Sequence, residues 1–159
     1  RGFPQVSILY KTSENHRAIA EAIQQMWRTR LGVDIGLTNQ EWKVYLDSQD
    51  TLAFDIARAG WIADYVDPNT FMDMWRTGGG NNDTGWSNAT YDALLDESAK
   101  VSSDAERFAI YQKLEAMLAD EVPIIPLYFY TRVFAMNPKL RFVPNVIDNR
   151  SWKYVEFLP

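Results

Sequence analysis

The chain has no cysteine and a single histidine, His16, among its 159 residues. The first absence excludes disulfides and zinc-thiolate sites, and fits either an oxidising or a reducing compartment. The second leaves a catalytic triad or a histidine-rich zinc site without partners, and His16, in a polar helix start, is expected to face solvent. No apolar run approaches the roughly 20 residues of a membrane-spanning helix. Positive charge is also scarce: Lys and Arg number 16 against 21 acids, for a net charge of -5 and no basic cluster, which argues against nucleic acid and anionic lipid as partners. Glycine is concentrated in one place, Gly78-Gly79-Gly80, followed by Asn81-Asn82-Asp83. No Lys-Ser or Lys-Thr follows, so this is a flexible loop and not a phosphate cradle, and it lacks the alternating ligands and final glutamate of a calcium loop. No metal and no cofactor is expected.

What the chain does have is apolar material, 47% of its residues, enough for a sizeable core in one domain. Val6 to Tyr10 reads as a buried strand. Ser13 or Asn15 caps the helix after it, whose apolar positions Ile19, Ala22, Ile23, Met26 and Trp27 recur at helical spacing until Gly32 ends it. Val33 to Leu37 alternates as a second strand, Asn39 is placed to cap a short helix carrying Trp42, Tyr45 and Leu46, and Phe54 to Ala59 alternates as a third strand. This βαβαβ order predicts an α/β fold with a mainly parallel sheet flanked by helices. Asp67-Pro68 is a helix start, a capping carboxylate with proline in the first turn, for a short helix through Phe71 and Trp75. Asn88 to Val101 and Asp104 to Asp120 read as amphipathic helices, the second opened by the capping box Ser103 and Glu106, with Phe108, Tyr111, Leu114 and Leu118 on its apolar face. Ile124 to Tyr130 and Thr131 to Met136 look extended.

Arg58-Ala59-Gly60-Trp61-Ile62-Ala63-Asp64-Tyr65 sets a charged pair and two aromatic rings just past a strand, and in open α/β sheets ligands bind at the carboxyl ends of strands. Asp64 is either a carboxylate offered to a cationic ligand or a turn residue bonding local amides. Asp67, already assigned to capping, leaves Asp64 for other work. Trp61 and Trp42 are either pocket walls or core. Arg58 either meets an anion or pairs with Asp55, Asp64 or a neighbour.

These residues carry a resemblance. The Arg58 to Tyr65 run, Asn39-Gln40-Glu41-Trp42, Tyr10-Lys11-Thr12-Ser13, Tyr91 to Leu95 and Val122 to Tyr128 together resemble the carboxy-terminal lobe of bacterial oligopeptide-binding proteins, the solute receptors of peptide-importing ABC transporters. The resemblance implies one lobe, residues 1–159, of a type II periplasmic-binding-protein fold, non-enzymatic, part of a receptor of which the amino-terminal lobe is missing. It implies an oligopeptide as ligand and ABC permease subunits as partners. It implies a site in which Asp64 receives the peptide's amino group, Trp61 and Trp42 line side-chain pockets, and Arg58 meets the carboxylate. Location would be periplasmic, or lipid-anchored at a Gram-positive cell surface. Arg1-Gly2-Phe3-Pro4 is not a signal peptide, and the true amino terminus is expected to precede it. Ile62 stands where some relatives carry a disulfide cysteine. Murein-peptide and dipeptide receptors are alternatives within the family. From another class, the 14% aromatic content and the Asp64 and Asp67 pair would suit a carbohydrate-active domain with paired carboxylates.

Overall fold

The computed structural model describes residues 2–158 apart from 132, 134, 143–145 and 148–151. They form two compact units, residues 1–61 with 77–87 and residues 62–76 with 88–159.

The first unit is built on a three-stranded sheet, β1 (Ser7–Lys11), β2 (Gly36–Gln40) and β3 (Ile56–Ala57), in the order β2-β1-β3. Both pairings are parallel, with Ser7 opposite Gly36, Lys11 opposite Gln40 and Ile8 opposite Ile56. The parallel α/β architecture expected from the βαβαβ order is therefore present. Two crossover helices, α1 (Glu14–Leu31) and α2 (Trp42–Asp50), join the strands. The pleat sends alternate side chains to opposite faces. Ile8 and Tyr10 thus meet Ala20 of α1 and Ile35 in one apolar cluster, completed by Ile23, Trp27, Leu37 and Ile56. Gly32 ends α1 with φ 67°, a left-handed conformation that glycine adopts without a Cβ clash.

Four details differ from the sequence reading. The third strand pairs only over Ile56–Ala57 and not over Phe54 to Ala59. The second strand is Gly36–Gln40 and not Val33 to Leu37, because pairing begins only where Gly36 comes opposite Ser7. Val33 and Ile35 still point inward, as approach to the strand. Asn39 consequently lies inside β2, and the cap of α2 is Glu41, whose side chain accepts from the Lys43 amide at 2.9 Å. His16 is buried, at 7% exposure. The α1 face that packs on the sheet runs His16, Ala20, Ile23, Trp27, about a sixth of a turn from the predicted one, and leaves Ala22 and Met26 exposed.

In the second unit, α3 (Asn69–Met72) runs into a 3-10 turn, Asp73–Trp75, and α4 (Ala89–Ser98) pairs with α5 (Asp104–Glu121). Asn88 caps α4 through its side-chain oxygen, and Ser103 caps α5 on the Glu106 amide, as the sequence indicated. Tyr91, Leu95, Ile110, Tyr111, Leu114 and Leu118 make the interior, whereas Phe108 is exposed. Ile124 to Tyr130 joins no strand, in keeping with prolines at 123 and 126 that remove donors. Of Thr131 to Met136, residues 132 and 134 lie outside the described residues. A short antiparallel pair, β4 (Leu140–Arg141) and β5 (Glu156–Phe157), was not foreseen. Trp152 is 75% exposed. Among the described residues, no helix is long and apolar enough to cross a membrane.

Candidate functional site

At the carboxyl end of the first unit's sheet, three chain segments leave the strands together. Each delivers one functional side chain: Lys11 closes β1, Trp42 opens α2 just past β2, and Arg58 follows β3 with its amide still bonded to the Leu9 carbonyl at 2.8 Å. Tyr45, one turn into α2, ties them together. Its ring stacks on Trp42 with centroids 5.9 Å apart and planes 17° apart, and its hydroxyl donates to the Arg58 carbonyl at 2.7 Å. Burial raises the Tyr45 phenol above its ordinary range, with the Arg58 charge opposing, so the hydroxyl stays a donor. Trp42 is 48% exposed, which removes the core alternative for that residue. The Lys11 ammonium lies 4.4 Å from the centre of its ring, a cation–π arrangement that leaves much of the indole open.

The Arg58 guanidinium reaches His16, Nη1 to Nε2 at 2.9 Å. Burial first, and then the charges of Arg58 and Lys11, hold the imidazole below its ordinary range. Asp55, one of the partners considered for Arg58, accepts instead from the Ser7 amide at 2.9 Å. Trp61 is half-buried, and its indole nitrogen is shielded from water with no hydrogen-bond partner among the described residues.

Asp64 belongs to the second unit. Its backbone is pinned, since its amide donates to the buried Thr70 hydroxyl at 3.1 Å. Its side chain is exposed, and among the described residues the carboxylate makes no hydrogen bond or ion pair. Asp67 is the opposite case. Its Oδ1 caps α3 on the Asn69 amide at 2.8 Å, and both oxygens take a fork from Arg107 at 2.6 and 2.8 Å. Burial pulls Asp67 upward, but the Arg107 and Asn69 hydrogen bonds and the Arg107 charge outweigh it and hold the carboxyl below its ordinary range. Two aspartates three residues apart are thus divided between a structural role and an open one. Tyr65 is fixed beside them, its hydroxyl accepting from the Asn69 side-chain Nδ2 at 2.9 Å.

The structure brings Trp42 and Arg58 together through Tyr45 and places Trp61 in the same unit. Lys11, Tyr45 and His16 were missed. A helical-spacing signal for His16 existed, since His16, Ala20, Ile23 and Trp27 follow one face at i, i+4, i+7 and i+11. Among the described residues no group of three or more His, Asp or Glu side chains is placed to hold a metal ion.

Residues 2–83 match the family described as bacterial extracellular solute-binding proteins, family 5, middle region, and the chain belongs to this family. The oligopeptide-binding protein OppA of Bacillus subtilis is 39% identical over 141 residues, 88% of this chain and 26% of the relative. The periplasmic murein peptide-binding protein MppA of Escherichia coli is 39% identical over 140 residues, 88% of this chain and 26% of the relative. The chain therefore spans about a quarter of the length of these relatives. Among solved structures, the Escherichia coli murein tripeptide binding protein MppA matches with a TM-score of 0.90 at 36% identity, covering 98% of this chain and 31% of that one. Haemophilus influenzae OppA in complex with RPPGFSPFR matches with a TM-score of 0.89 at 31% identity, covering 98% of this chain and 31% of that one. These relatives are named as binding proteins and not as enzymes, in line with the non-enzymatic expectation. The carbohydrate-active alternative is set aside by family membership and by Asp67, whose two oxygens are engaged by Arg107.

Proposed function

We propose that the chain is the carboxy-terminal lobe of a peptide receptor for an ABC importer, residues 1–159 supplying one wall of a cleft whose other wall is the amino-terminal lobe. A peptide lies extended there, its backbone bonded as an added strand, a mode that reads main chain and so tolerates many sequences. Asp64 takes the α-ammonium. Trp42 and Trp61 offer flat apolar walls to side chains, and Arg58, with the Lys11 charge nearby, receives the carboxylate. Lobe closure about a hinge presents the loaded receptor to the permease subunits. The receptor works in the periplasm, or lipid-anchored at the surface of a Gram-positive cell. Murein peptides remain a second ligand class, because the likeness to MppA equals that to OppA.

The observation that carries this reading is the contrast between the two aspartates: Asp67 is consumed by Arg107 and a helix cap, while the Asp64 carboxylate is exposed on a pinned backbone. The test is Asp64→Asn in the full-length receptor, titrated with matched free and N-acetylated peptides. Asparagine keeps the shape and loses the charge, and a hydrogen bond to a charged group is worth about 1.5 to 3 kcal/mol, or about one to two decades of affinity. That loss is expected for the free peptide alone. Equal loss for both peptides makes Asp64 structural.

A further inference from the structure

We infer that Lys11 sets the side-chain preference of the Trp42 wall, making it a subsite for an acidic side chain of the bound peptide, glutamate best, and disfavouring lysine and arginine. The inference rests on the peptide-binding reading and goes beyond it in naming a side chain. Lys11 is the last residue of β1, opposite Gln40 at the end of β2, and is half-buried. Its ammonium lies 4.4 Å from the centre of the Trp42 ring. An ammonium carries donors and no acceptor, and among the described residues this one makes no hydrogen bond and no ion pair. The indole attracts the cation without neutralising it. A full positive charge is therefore left beside whatever lies against the ring.

Acids of the same unit are engaged elsewhere. Glu41, beside Trp42 in sequence, accepts from the Lys43 amide as the cap of α2. Asp55 accepts from the Ser7 amide at the far end of β1, and Asp34 is paired with Arg28. A second cation, Arg58, acts together with Lys11 on His16. A chain of net charge -5 thus gathers positive charge at these strand ends. Trp42 is partly exposed, and the buried Tyr45 stacked on it fixes its plane. A glutamate laid against that plane covers indole with its methylene stem and gives its carboxylate to the ammonium in a charge-assisted hydrogen bond. Glutamine keeps the shape with a weaker bond. Lysine sets two ammonium groups against each other.

The experiment is calorimetric titration of the full-length receptor and its Lys11→Met and Lys11→Arg variants with alanine-based peptides. One alanine at a time is replaced by Glu, Gln or Lys, and each peptide is made with a free and with an amidated carboxyl end. In the parent, Glu at one position is expected to bind about tenfold more tightly than Gln, the size of one charge-assisted hydrogen bond, in both the free and the amidated series. Lys at that position should bind more weakly than Gln. Methionine keeps a long apolar stem without the charge, so Lys11→Met should bring the Glu-to-Gln ratio to about one, whereas Lys11→Arg should keep the preference. The ratio cancels any general loss of affinity in a variant. Equal binding of Glu and Gln peptides by the parent, or a Glu preference that survives Lys11→Met, overturns the inference and leaves the peptide reading standing. Lys11→Met weakening only the contrast between free and amidated ends assigns Lys11 to the peptide's carboxyl end, and overturns it too. Failure of the parent to bind any of these peptides overturns the peptide reading, and the inference with it.

Discussion

Asp67→Asn separates the two jobs that one side chain performs in the second unit. Asparagine is as good a helix cap as aspartate, so the Asn69 amide keeps its acceptor. The Arg107 fork does not survive, because the new amide nitrogen turns a donor toward the guanidinium that now gives bonds at 2.6 and 2.8 Å. A charge-assisted hydrogen bond contributes about 1.5 to 3 kcal/mol. The side chains are 30% and 26% exposed, and solvent screening reduces the expected loss to about 1 to 2 kcal/mol. The sign of the pH dependence follows from the direction of the shift. Asp67 is held below the ordinary carboxyl value of 3.8, so its contribution is complete above that value and is lost as pH falls through the lower folded one. Urea unfolding at pH 7 should therefore show the variant less stable by that amount, and the parent and variant should converge in strong acid. In a double-mutant cycle with Arg107→Gln the two losses should be strongly non-additive. Equal stabilities at pH 7, or a difference that ignores acid, would refute the ion-pair account.

Two backbone predictions follow from left-handed residues. Val122 ends α5 at φ 51°, ψ 45°, a conformation that costs a non-glycine residue about 1 to 2 kcal/mol. Val122→Gly should accordingly raise the free energy of unfolding by a net of about 0.5 to 1 kcal/mol after the added freedom of the unfolded chain, and a lowered value would mean that Val122 is held by packing. Gly85 has φ +69°, and a Cβ there would sit 2.9 Å from Leu52 Cδ1. Leucine's end can yield, so Gly85→Ala should cost chiefly the backbone term, about 1 to 2 kcal/mol, measured by the same urea titration.

The sheet was legible because its signals are local. Val6 to Tyr10 and Phe54 to Ala59 alternate, Gly32 stops a long helix, and the two connecting segments admit only crossover helices. Register was not legible. The alternation of Val33 and Ile35 is real, since both point inward, but strand bounds depend on which residue meets Ser7, a pairing 29 residues away in the chain. Asn39 went astray for the same reason: an amide that suits a cap also suits the end of a strand, where it bonds the Tyr10 carbonyl at 3.4 Å.

The site was legible where residue type decides and hidden where partners decide. Two tryptophans, an arginine and an aspartate past a strand end suggest a ligand site on chemistry alone. That Asp67 and not Asp64 is consumed by an ion pair depends on Arg107, 40 residues on. That the Arg58 guanidinium meets His16 depends on α1 burying the histidine. Polarity argued for solvent at His16, but position on the helix decided, because Ala20 and Ile23 share its face and must cover the sheet.

The most direct measurement is a crystal structure of the full-length receptor bound to a peptide with a free amino end. The account predicts the α-ammonium within hydrogen-bond distance, about 3 Å, of the Asp64 carboxylate, with Asp67 still forked to Arg107. An ammonium seated elsewhere, with Asp64 left in solvent or turned onto local amides, would contradict it.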